Sequence, residues 1–423
     1  MSTNRTNNKE AWWKDAVIYE VYVDKFSDTF NGLSQKLDYL NFLGVNCIHL
    51  LPFYPSPMID DGYDVIDYVG IRENLGTIKD FKKFIKNAHN MGIKVIIDFV
   101  LNHTSTQHPW FKKACSSVKN NKRDFYLWDK TGVGYAGLSN IFFDLKDRNW
   151  IYNEPTGDHY FSTFYSEQAD LNWNNPLVFT EMMRVLDFWV NIGVDGFRLD
   201  AAAHLIKKEG TMSESLPETH ALIKKIRSYL DQNYNNIILL AEVNDSVEKI
   251  KEYFSTGDEC HMAYNFPLAA KILLAIKRNN LTLIQKIIDE SLNIPENCSW
   301  AVFMEHHDEI SLTTLTEKER EEVLEYFDPE KKYRFGKGLS MRLANIFDGN
   351  NQKVIEVFKT LFNIAGSHII YYGNEIGVKN ELLALGEKDT RRGLRPKFDW
   401  EIAYSQKSDE KSLLTNISNI IKK

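Results

Sequence analysis

Four apolar runs of this 423-residue chain end in groups able to do acid–base and nucleophilic work. KVIIDFV at 94–100 carries Asp98 and is followed by Asn102 and His103. GFRLD at 196–200 supplies Arg198 and Asp200. The run IILLA ends at Glu242, and WAVFM at 300–304 is followed by His306, His307 and Asp308. Arg198 and Asp200 stand two apart, so they share one face of a strand. A guanidinium beside a carboxylate favours its ionised form, which suits a nucleophile. Apolar surroundings raise a carboxyl pKa, which suits Glu242 to acid/base work. With Asp308 as a third carboxylate, the set fits glycosyl transfer with retention, in which two carboxyls ~5–5.5 Å apart attack the anomeric carbon and protonate the leaving oxygen. Taken singly, each residue has a blander reading: helix cap, loop hydrogen-bonder, structural ion pair or core imidazole. The ordered set on separate strands favours the chemical one.

Those groups need a scaffold that brings strand ends to one rim. Strand-like runs at 16–23, 47–52, 94–100, 196–201, 236–243, 260–266, 300–304 and 368–373 alternate with helical stretches near 33–44, 78–92, 177–192 and 217–232. Eight alternating units predict an α/β fold, a closed (β/α)₈ barrel, whose catalytic groups lie at the C-terminal strand ends. The rhythm breaks over 104–175, a span rich in aromatics, Asp, Asn and Gly. A loop that long predicts a functional excursion or small subdomain. The organisation is therefore barrel over 1–103 and 176–423, with an inserted subdomain over 104–175. An irregular, charged insertion with helical character is expected over 311–350, between strand seven and its return helix.

The net charge of −7 and a pI near 5.9 argue against a broad nucleic-acid or anionic-membrane surface. Cys47, Cys115, Cys260 and Cys298 have neither CxxC nor metal-ligand spacing and read as reduced thiols of a cytoplasmic protein. The opening MSTNRTNNKEAWW lacks the apolar core of a secretory signal, and no run is long enough to span a membrane. No cofactor is implied, and oligomeric state is left open. The many Trp, Tyr and Phe suit sugar faces but equally fill cores.

DFVLNH (98–103), GFRLD (196–200), AEV (241–243) and HHD (306–308) resemble the strand-end regions of the α-amylase superfamily of glycoside hydrolases. The resemblance implies Asp200 as nucleophile, Glu242 as acid/base and Asp308 as transition-state stabiliser. It also implies His103, Arg198 and His307 holding a glucosyl unit in subsite −1, with Tyr63 stacking beneath it. QADLN (168–172) resembles the signature of the oligo-1,6-glucosidase-like branch, where a pair matched by Asp60 and Arg395 closes the far side of the pocket. Ala201 resembles branch members preferring α-1,4 bonds. LLPFYPSPMIDDGYDV, EGTMSESLPETH and GDECHMAYNFPL are similar to the trehalose-synthase subfamily, maltose–trehalose glucosylmutases. The implied substrate is a small α-glucoside or malto-oligosaccharide.

Several positions depart from the pattern. The loop SDTFNG is short, and His306, preceded by Glu305, replaces an Asn, which alters the −1/+1 surroundings. GLRPKFDW stands where the family has a TPMQW-like run, and a C-terminal β-sandwich is expected to be absent. Lys207 stands where related calcium sites have an acidic ligand, so no bound metal is expected. Three functions remain open on these grounds: a glucosyl transferase that keeps its cleaved glucose, a hydrolase that admits water, and an inactive binding relative.

Overall fold

The computed structural model describes residues 11–135, 137–138 and 140–423. The polar stretch 1–10 lies outside the described residues. Eight parallel strands close into a barrel: β1 (Val17–Val21), β2 (Cys47–Leu50), β3 (Lys94–Val100), β4 (Gly196–Asp200), β5 (Ile238–Ala241), β6 (Met262–Tyr264), β7 (Ser299–Val302) and β8 (Ser367–Tyr371). Nearly every strand residue is buried, because the strands face packed side chains inside and helices outside. That is why they read as unbroken apolar runs rather than alternating ones.

Register sets the height of each polar group. Glu20 of β1 lies opposite His49 of β2, and Asp98 of β3 lies opposite Arg198 of β4. Val100 faces Asp200 one turn of the pleat higher. Asp98, Arg198 and Asp200 are therefore brought together in the C-terminal halves of neighbouring strands. Gly196 makes the β4–β5 approach possible: a Cβ there would lie 2.9 Å from the Ile238 carbonyl oxygen.

The return helices begin and end on local signals. Ile78–Asn90 starts with a Thr77–Asp80 capping box, and Pro176–Ile192 starts at the Asn175 cap and ends at Gly193 with φ +117°. The single helix expected over 33–44 is two, Phe30–Gln35 and Leu37–Leu43, interrupted at Lys36.

Between β3 and Pro176 the chain leaves the barrel. His103–Ser105 pairs antiparallel with Gln168–Asp170. Beyond them Trp128–Asp129, Asp158–Phe161 and Trp150–Asn153 form a three-stranded sheet over Leu127, Trp150 and Phe161. The insertion after β7 is less helical than its charge pattern predicts. It holds the helix Glu317–Phe327 but also a small sheet of Ile310–Ser311, Gly338–Leu339 and Arg334–Phe335. After β8 the described residues contain turns, two short 3-10 helices, Asn374–Ile376 and Thr390–Leu394, two α-helices, Trp400–Lys407 and Leu413–Ile421, and no strand. Among the described residues no helix is long and apolar enough to cross a membrane.

Candidate active site

A single guanidinium organises the rim. Arg198, 1% exposed, donates from Nη1 to Asp200 Oδ1 at 2.6 Å and to Asp98, and from Nη2 to Glu242 Oε1 at 2.5 Å. Because both terminal nitrogens hang on one carbon, this fork fixes Asp200 and Glu242 side by side. The other oxygen of Glu242 accepts the backbone N–H of Ala201 at 2.9 Å. Ala201 takes φ +48° and ψ +41°, a left-handed conformation that costs a non-glycine residue ~1–2 kcal/mol.

Beneath the pocket, His307 donates Nδ1–H to Glu20 Oε1 at 2.9 Å, and its Nε2 lies 3.1 Å from Asp308 Oδ2. Burial would lower its pKa, but the Asp308 and Glu20 charges lift it to about 10, so the ring is an imidazolium at neutral pH. Tyr63 stacks on it at 5.4 Å between centroids, with its hydroxyl 2.6 Å from Nε2. His103 is neutral: burial brings it down to about 4, and its Nε2 rests on the Tyr63 carbonyl at 3.2 Å.

The pocket-closing pair differs from the one expected. Arg395 does not meet Asp60; it bonds to Asp61 and to Asp308 Oδ1 at 2.7 Å. The partner of Asp60 is Arg391, at 3.4 Å, which also reaches Asp308 at 3.2 Å and Asp389 at 2.7 Å. Gln168 Nε2 donates to the other oxygen of Asp60 at 2.8 Å. Above this wall Phe142, from the excursion, meets Phe335, from the insertion, at 5.4 Å, and Arg391 lies over both rings. The pocket has a volume of about 170 Å³, opens to solvent on one side and is lined by Asp60, Tyr63, His103, Asp200, Glu242 and Asp308. Arg198, His307 and Arg395 stand behind that lining. At ~300–1,000 Å³, ordinary small-molecule pockets are larger.

Two expectations about charge need correction. Arg198 does not keep Asp200 in the ordinary carboxylate range: burial, then the nearby Glu242, Asp98 and Asp308 charges, outweigh it and push the carboxyl well up. Glu305 does not face the pocket; it bonds to the Leu343 N–H at 2.6 Å and pairs with Arg342 at 2.9 Å. His306 does line the pocket, as does Glu309, whose carboxyl burial pushes to about 8. Sequence reading left out Glu309, Phe164, Phe142, His204 and Arg391. The only available signal was their proximity to motif residues.

Lys207 spans the join between barrel and excursion. Its ammonium donates to Asn102 Oδ1 at 2.6 Å, to the His204 carbonyl at 2.5 Å, and pairs with Asp170 Oδ2 at 2.5 Å.

Residues 3–331 match the family described as alpha amylase, catalytic domain. The chain is 38% identical to a trehalose synthase of Pimelobacter sp. (strain R48), over 96% of this chain and 74% of that one. It is 42% identical to a trehalose synthase of Thermus thermophilus, over 93% of this chain but only 42% of the relative's length. An α-glucosyl transfer enzyme of known structure superposes with a TM-score of 0.80 at 23% identity, over 98% of this chain and 84% of that one, a likeness of fold.

Proposed function

Since the chain belongs to the α-amylase family, we propose that it is a retaining glucosyl-transfer enzyme that isomerises maltose to trehalose. Asp200 attacks the anomeric carbon while Glu242 protonates the departing O4, which leaves a covalent glucosyl-enzyme and free glucose. The free glucose turns in place. Glu242 then takes the proton from its anomeric hydroxyl as that oxygen attacks the glucosyl-enzyme. Asp308, with Arg391 and Arg395 neutralising it, faces the developing oxocarbenium charge. Tyr63 and His103 bound the −1 sugar, while Arg198 and His307 hold the groups that touch it.

One observation carries this reading: the Arg198 fork sets Asp200 and Glu242 side by side within a space of about 170 Å³. The Asp60–Arg391 wall and the Phe142–Phe335 roof favour transfer over hydrolysis, because a retained glucose must compete with water. Three buried free thiols, Cys47, Cys260 and Cys298, favour a reducing, cytoplasmic setting. The test is product analysis after incubation with maltose. Trehalose forming ahead of glucose supports the proposal. Glucose alone makes the chain a hydrolase, and no product from maltose overturns both.

A further inference from the structure

A side chain crossing the same pocket has no part in that mechanism. His306 is 2% exposed, and its Nε2 has no hydrogen-bond partner. Packing alone holds the ring, edge-on to Phe303 at 5.3 Å, to His307 at 5.2 Å and to Phe266 at 5.5 Å between centroids. A buried polar atom left unpaired costs ~1–3 kcal/mol, so such a ring calls for a ligand. A ring nitrogen of His306, a carboxylate oxygen of Glu242 and one of Asp308 all lie within 4.8 Å of one another. The neighbouring group Glu20, His306 and His307 is no alternative, because both nitrogens of the cationic His307 are already engaged.

We infer that Glu242, His306 and Asp308 bind a divalent transition-metal cation of the Zn²⁺ class, and that the ion and the sugar exclude one another. One imidazole nitrogen and two carboxylate oxygens form a borderline donor set that suits such ions. Bond lengths of ~2.0–2.2 Å place tetrahedral ligand atoms ~3.3 Å apart. Asp308 is held by three cations, so closing that gap takes the Glu242 side chain, 17% exposed, off its Arg198 and Ala201 donors. The remaining positions go to water. Asp200 adds attraction, while Arg198, His307, Arg391 and Arg395 oppose a cation, so binding is reversible. An ion held here takes Glu242 out of proton transfer and acts as an inhibitor.

The inhibition rests on the proposed roles of Glu242 and Asp308; the binding does not. The test is calorimetric titration of the full chain with ZnCl₂. One ion per chain is expected. His306→Asn and, separately, Glu242→Gln should each weaken binding by more than ~10-fold, the least that even an outer-sphere partner contributes. Saturating maltose should weaken it as well. No binding overturns the site. So does binding that survives both substitutions or disappears in Cys115→Ser, since Cys115 is the most accessible thiol. Binding lost in His306→Asn yet indifferent to maltose keeps the ion site and counts against the disaccharide reading.

Discussion

Two buried ionic clusters lie on either side of His103, and the same residue types serve opposite ends in them. At the barrel–excursion join, the ammonium of Lys207 has three acceptors for its three donors: Asn102, Asp170 and the His204 carbonyl. Asp170 accepts in addition from the Thr163 N–H at 2.8 Å and its hydroxyl at 2.5 Å. One charge meets one countercharge, and nothing is left over. On the rim, Asp98, Asp200 and Glu242 share one guanidinium, whose own Nε lacks a partner. Three cations, His307, Arg391 and Arg395, converge on Asp308. A saturated cluster holds structure together. A crowded one stores unfavourable charge that substrate and transition state relieve.

Removing one charge from each cluster sharpens the contrast. Asp200→Asn should lower turnover by more than ~10⁴-fold, as loss of a catalytic nucleophile does. It should leave unfolding free energy unchanged or raised, because it relieves the repulsion among Asp200, Glu242, Asp98 and Asp308. Lys207→Met should do the reverse. It strands a buried carboxylate, so urea denaturation should show a loss of ~3–5 kcal/mol. Product ratios from the molecules that remain folded should stay close to the parent's. If Asp200→Asn proves the less stable of the two, the distinction between the clusters fails.

The sequence carries the barrel and the carboxylates for a physical reason. Strands buried on both faces are apolar runs, and a polar residue such as Asp98 or Arg198 inside one has few purposes besides a site. The wall was harder to read. Arg391 and Arg392 sit in the five-residue 3-10 helix Thr390–Leu394 and Arg395 caps it, a span too short to show a periodicity, so only the path of the backbone decides which one faces Asp60. Arg392 turns instead to the Ile59 carbonyl at 2.6 Å. The proton balance of Asp200 was beyond the sequence as well, because it sums burial and charges from four strands. The insertion misled for a different reason: its charge pattern matches Glu317–Phe327, while its two-residue strands are too short to show an alternation.

The clusters should also differ in their response to pH. Burial would raise the Asp170 carboxyl, but Lys207 and the Thr163 donors hold it below the usual range. A depressed carboxyl stabilises above its unfolded pKa of ~3.9 and loses that contribution as pH falls. His307 is raised to about 10, so its contribution is complete below the unfolded value of ~6.5 and drains away as pH climbs toward 10. Unfolding free energy should therefore decline on both sides of neutrality. His307→Gln should flatten the alkaline decline and, because His307 also holds the Glu20 and Asp308 carboxyls down, part of the acid one, whereas Lys207→Met should flatten the acid decline alone. An alkaline decline flattened by Lys207→Met would show the clusters to be a single coupled network.

The smallest effect concerns the peptide joining nucleophile to acid/base. Ala201 is held at φ +48° so that its N–H reaches Glu242 Oε2. Glycine adopts that conformation freely but loses ~0.5–1 kcal/mol of chain entropy on ordering. Against the ~1–2 kcal/mol of left-handed strain removed, Ala201→Gly should change stability by no more than ~1.5 kcal/mol, in the stabilising direction. The same freedom lets the N–H swing away from Glu242, so turnover should fall modestly while KM for maltose stays put. A rise in KM instead would mean that the methyl group of Ala201, which lines the pocket, acts through the sugar rather than through Glu242.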